Sequence, residues 1–144
     1  MKTFLLSAAF LALQIATAQA PTGESNPLAT SRAFRYEDMV VRSTPNGGEG
    51  RRVFTGTLPT GEAVGAHETT QPVDAAPSAL HKIQHSELIV VQQGTVEFHH
   101  DGKVESVTAG GILYVAIGTE HFVQNGGDIP AKYVVIQIGG DTKE

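Results

Sequence analysis

From Phe34 onward the chain is a succession of ten short apolar or alternating runs, each closed by a turn signal, and that rhythm most limits what it can fold into. The runs fall at about Met39–Arg42, Arg52–Leu58, Ala63–Gln71, Ala79–Ile83, Glu87–Gln93, Thr95–His100, Val104–Thr108, Ile112–Ile117, His121–Gln124 and Lys132–Ile138. Between them stand Pro45-Asn46-Gly47-Gly48, Pro59-Thr60-Gly61, Asp101-Gly102, Gly110-Gly111 and Asn125-Gly126-Gly127-Asp128. Many short strands at this pitch, with no helical period, predict an all-β sandwich or barrel. Asp101-Gly102 is the strongest hairpin signal, because a type I′ turn needs positive φ at both central residues. Leu88-Ile89-Val90-Val91 is apolar on both faces, which predicts a strand buried on both sides. The closing run Tyr133–Ile138 reads as a central strand ended by Gly139-Gly140. There is no internal repeat and no coiled-coil heptad.

The first twenty residues follow a different logic. Lys2 gives a positive start, Phe4 to Ala16 is apolar apart from Ser7 and Gln14, and Ala18-Gln19-Ala20 is a small-x-small cleavage site. This is the layout of a secretory signal peptide, too short in its apolar part for a comfortable membrane span. No Cys follows it to carry a lipid. The expected organisation is a signal peptide at 1–20, a polar flexible lead-in at 21–33 with two Pro and a Gly, and one β domain at 34–144. The expected location is outside the cytoplasm, periplasmic or secreted, with no membrane anchor left after cleavage.

Charge and cysteine content narrow the chemistry. Ten basic residues face fifteen acidic ones, a net charge of −5, and loss of Lys2 makes it −6. An acidic chain without a Lys/Arg cluster is a poor partner for nucleic acid or anionic membrane; the one adjacent basic pair, Arg51-Arg52, follows a loop and reads as a solvated strand start. With no Cys, disulfides, thiolate metal sites and a Cys nucleophile are excluded. Any metal must be held by imidazole and carboxylate.

The histidines with such potential cluster in two segments: His81-Lys82-Ile83-Gln84-His85-Ser86-Glu87, and Gly110 through Gly118 and His121 to Asn125. In one straight strand His81, Ile83, His85 and Glu87 would share a face, yet His81 and Glu87 would lie about 20 Å apart at roughly 3.3 Å per residue. Ligands of one ion stand about 2 Å from it. The chain must therefore turn between His81 and Glu87, and His121 must arrive from a third strand. A carboxylate beside so apolar a strand as Glu87 is costly unless paired or coordinated.

These segments resemble the two motifs of the cupin family. The first family motif runs His-x-His, three or four residues, Glu, six residues, Gly; here His81, Glu87 and Gly94 match and Ile83 replaces the second His. The second runs Gly, five residues, Pro, x, Gly, two residues, His, three residues, Asn; here Gly110, Gly118, His121 and Asn125 match and Ala116 replaces the Pro. The resemblance covers roughly Ala63 to Ile138 and implies a single small jelly-roll β-barrel. It also implies that His81, Glu87 and His121 face the barrel interior, where they could hold a divalent ion such as Fe, Mn, Ni, Cu or Zn. Two His and one carboxylate are the donor set of the non-haem iron facial triad. Ile83 offers no lone pair; His85 could compensate if the turn bends it inward.

Around this set, His67 lies one strand earlier, as a pocket or second-sphere group or as a structural His. Tyr114 and Phe122 flank the second motif as pocket walls or as core. Asn125 occupies a motif position but precedes Gly126-Gly127, a setting equally suited to a turn. His99 and His100 point to opposite faces, His99 to solvent and His100 capping the core. Two functions are expected from the resemblance. One is a metal-dependent oxygenase- or isomerase-type enzyme acting on a small molecule. The other is a non-catalytic small-ligand-binding domain whose metal site is vestigial. Family likeness also implies a homodimer.

Overall fold

The computed structural model of the protein describes residues 25–140 and Thr142; the signal peptide read at 1–20 lies outside the described residues. Apart from one 3-10 turn at Tyr36–Asp38, the regular structure is ten strands: β1 Val41–Ser43, β2 Glu49–Thr57, β3 Ala63–Gln71, β4 His81–Lys82, β5 Ser86–Gln93, β6 Thr95–His100, β7 Lys103–Thr108, β8 Ile112–Val115, β9 Glu120–Asn125 and β10 Ala131–Ile138. Each expected run overlaps one of them. They form a six-stranded sheet, β1-β2-β3-β10-β5-β8, and a four-stranded sheet, β4-β9-β6-β7. The strand pairs among the described residues are all antiparallel.

Strand periodicity explains where the core sits. Ile89 and Val91 of β5, Leu113 and Val115 of β8, and Tyr133 and Val135 of β10 face inward from the larger sheet. Val96, Phe98 and Val123 meet them from β6 and β9. Burying such side chains is worth about 1.5–3 kcal/mol each, the main term holding the sheets together. The Asp101-Gly102 turn joins β6 to β7 with φ of 48° and 71°, the positive values that a two-residue turn of the I′ kind demands.

Three expectations need correction. β5 is not buried on both sides: Leu88 and Val90 on its outer face stay half-exposed while Glu87, Ile89 and Val91 are buried. The outer face of β8 is open, with Ile112 and Tyr114 each 62% exposed, whereas residues of the lead-in pack on the outer side of β2 and β3. There Phe34 packs on Phe54 with ring centroids 4.9 Å apart, and Tyr36 lies under Arg51 and Lys132. The lead-in is also not loose throughout its described part, because the Asn26 side chain donates to Thr57 O (2.7 Å) and accepts from Thr57 N (3.2 Å). Lastly, Arg51 is no solvated strand start; its guanidinium sits between Glu49 (3.2 Å) and the buried Glu68 (3.7 Å).

Candidate functional site

The two motif segments converge because their strands lie in different, facing sheets. β4 is only two residues long and pairs with β9, so that His81 stands directly opposite His121 in the small sheet. The chain then crosses to the large sheet, where Glu87 on β5 is flanked by Gln137 of β10 and Val115 of β8. The crossing turn is fastened by Gly118 N, which donates to Ile83 O at 2.9 Å and so ties the second motif to the first. Three strands thus supply His81, Glu87 and His121, and all three line one cavity of about 560 Å³. Its walls are Ile89, Val123, Tyr133 and Val135; its mouth is formed by Thr44–Asn46 and Ala76–Ala79. The mouth is cross-linked where Asn46 Nδ2 donates to Ala76 O at 3.0 Å.

Around the histidines and Glu87 the hydrogen bonds are specific. His81 Nδ1–H donates to Ala79 O (2.8 Å) and His121 Nδ1–H to Thr119 O (3.2 Å). The rings lie 4.5 Å apart, His121 buried and His81 exposed at the mouth. His85, bent inward and buried, donates from Nε2 to Glu87 Oε1 at 2.9 Å, and Gln137 Nε2 lies 3.2 Å from His85 Nε2 and 3.5 Å from the same Glu87 oxygen. Glu87 Oε2 faces His121 Nε2 at 3.7 Å, beyond hydrogen-bond range. Burial pushes the Glu87 carboxyl up, but its approaches to His121 and His85 outweigh this and hold it at about 2. Of the two, the 2.9 Å contact with His85 is the geometrically sound one. Burial raises the Tyr133 phenol, the Thr69 hydrogen bond opposes that, and the Glu87 charge adds to it; the phenol stays neutral.

The other expected residues divide. His67 does line the cavity. Tyr114 forms neither its wall nor the core: β8 alternates, Leu113 and Val115 point in, and Tyr114 is 62% exposed outside. Phe122 likewise turns out and stacks on His99 with centroids 4.2 Å apart. His100 stacks on Phe98 inside the small sheet. Asn125 organises the turn, its amide donating to Gln71 O, Pro72 O and Ile129 O and its oxygen accepting from Gly127 N. Ile83 sits in the apolar cluster. Sequence reasoning passed over Gln137, although it is the one amide in the closing run and shares the inward parity of Tyr133 and Val135.

Two imidazoles and a carboxylate are a divalent-metal donor set. Among the described residues, however, no three His, Asp or Glu side chains close on one ligating point. One Glu87 oxygen is engaged by His85 and Gln137, and His81 is drawn toward Ala79 at the mouth. As arranged, these side chains do not fit a three-ligand ion.

Facing antiparallel sheets that put two motif-borne histidines and a glutamate into one cavity are what the motifs imply, and the family model described as "Cupin domain" matches residues 57–137. The chain belongs to the cupin family. An RmlC-like cupin from Shewanella frigidimarina superposes with a TM-score of 0.60 at 16% identity, over 78% of this chain and 95% of that one. A mutant of Bacillus subtilis oxalate decarboxylase gives 0.62 at 22% identity, over 77% of this chain and 30% of that one. In sequence, a putative mannose-1-phosphate guanylyltransferase from Vibrio cholerae is 38% identical over 55 residues, 38% of this chain. The matched stretch spans 12% of that relative's length. These likenesses establish the barrel and no particular reaction.

Proposed function

We propose that this cupin is an exported protein that binds a small organic molecule in its barrel. The cavity carries the reading: apolar walls around a few convergent polar groups are the usual make-up of a small-molecule site, and here Ile89, Val123, Tyr133 and Val135 surround His81, Glu87 and His121. That Glu87 is already held by His85 and Gln137 favours binding without a metal. The test is a thermal-shift screen of small organic molecules on the purified chain and on Ala79→Trp, which plugs the mouth at an exposed position. Ligands should raise the Tm of the first and leave the second unmoved; a shift preserved in Ala79→Trp places binding elsewhere.

One observation favours the metal-dependent enzyme instead: both His81 and His121 give Nδ1–H to a backbone carbonyl, as ligating histidines do. Elemental analysis of the untagged protein separates the readings, since near-stoichiometric Fe, Mn, Ni, Cu or Zn would support the enzyme. Export rests on the sequence of residues 1–20, and N-terminal mass measurement on protein from cells that export it should show Pro21 first.

A homodimer is part of the same reading. The outer face of β10, β5 and β8 carries the cross-strand rows Val134-Val90-Ile112 and Ile136-Leu88-Tyr114, without a charged residue. Ile112 and Tyr114 are each 62% exposed. Apolar patches of a few hundred Å² mark interaction surfaces, and uncharged rows suit contact between two acidic copies.

A further inference from the structure

The polar groups of the cavity present acceptors, and that inventory, resting on the small-molecule reading above, points to a ligand class. A carbonyl oxygen can only accept, so the contacts to Ala79 O and Thr119 O fix the proton of each neutral ring on Nδ1. Nε2 of His81 and of His121 is then a lone pair. Glu87 Oε1 is engaged by His85 and Gln137, which leaves Oε2 as the carboxylate oxygen opposite His121 Nε2, 3.7 Å away. Two acceptor atoms at that separation are both satisfied by one donor nitrogen lying about 2.9 Å from each. The cavity lining contains no Lys or Arg that would pair with a ligand carboxylate.

We propose that the pocket takes a primary amine with an apolar body. Its nitrogen donates to Glu87 Oε2 and His121 Nε2, and its body lies along Ile89, Val123 and Val135. A charge-assisted bond to the carboxylate is about twice as strong as the same contact from a hydroxyl. The expected preference for amine over alcohol is therefore about tenfold.

The experiment is calorimetric titration of the EDTA-treated chain with 2-phenylethylamine, 2-phenylethanol and phenylacetate, probes of one size that differ in the polar end. The account expects the amine to bind at least about tenfold tighter than the alcohol, with the carboxylate weakest, and Glu87→Gln to abolish the preference. Equal or tighter binding of the alcohol or the carboxylate overturns the amine assignment while leaving the pocket reading intact. Binding of any probe that survives in Ala79→Trp fails the pocket reading itself, and absence of binding by all three at millimolar concentration fails both. Uptake of one equivalent of zinc that excludes the amine overturns the assignment by giving these acceptors to a cation. The three-probe comparison needs no variant to fold.

Discussion

At residue 83 an Ile stands where the family motif has a His, and at residue 85 a His reaches the carboxylate that the motif would give to a metal. The two positions trade roles because the turn after β4 sends residue 83 into the apolar cluster and residue 85 against Glu87. Removing His85 leaves a buried carboxylate short of its nearest donor, and breaking a buried pair on one side is expensive. His85→Ala should lower stability by about 3 kcal/mol in urea denaturation; a loss below about 0.5 kcal/mol would show that the contact holds nothing. The Glu87 carboxyl gives a second test. Its folded value of about 2 lies below the ordinary 4.5, so its contribution is full above pH 4.5 and disappears as pH falls toward 2. The stability gap between the native chain and Glu87→Gln should therefore narrow on acidification through that window, and a gap independent of pH would contradict the assignment. Of this chemistry, the sequence shows the identity and parity of His81, Glu87 and His121. It does not show which way the turn at 83–86 throws its side chains, since that depends on the Gly118 contact 35 residues away.

At the level of elements, runs and turns map onto the strands because strand periodicity and turn chemistry are both local. Asp101-Gly102 is readable for this reason. Tyr114 illustrates what is not local. Its parity with Ile112 puts the two on one face of β8, but only the partner strand β5 tells which face is the inner one. Likewise Leu88 and Val90 read as buried from composition, while burial depends on whether another layer covers them. Ile83→His is a discriminating change here. If residue 83 faced the cavity, the variant would gain a metal ligand. Placed in the cluster with Val96, Phe98 and Leu113, a new imidazole should instead cost about 2 kcal/mol for an unpaired polar group. Denaturation together with elemental analysis checks this; a stable variant that fills with metal would contradict the placement.

Over the whole molecule the two faces of the large sheet have unequal cover. Residues 26–36 lie over β2 and β3, while the rows on β10, β5 and β8 are left to solvent. If a second copy covers those rows, light scattering should give twice the mass of one chain, and Ile112→Lys with Tyr114→Lys should restore a folded monomer. A native chain monomeric at 100-fold changes of concentration would exclude it. The same unequal cover leaves the cavity between the sheets as the one place where the motif histidines, the Glu87 carboxylate and apolar walls meet. The central claim is that this cavity offers acceptors, and nitrogen-15 NMR of the imidazole rings tests it most directly. Spectra of the neutral rings should show the proton of both His81 and His121 on Nδ1. A proton on Nε2 of either ring would mean that the cavity donates, and the account of the site would be wrong.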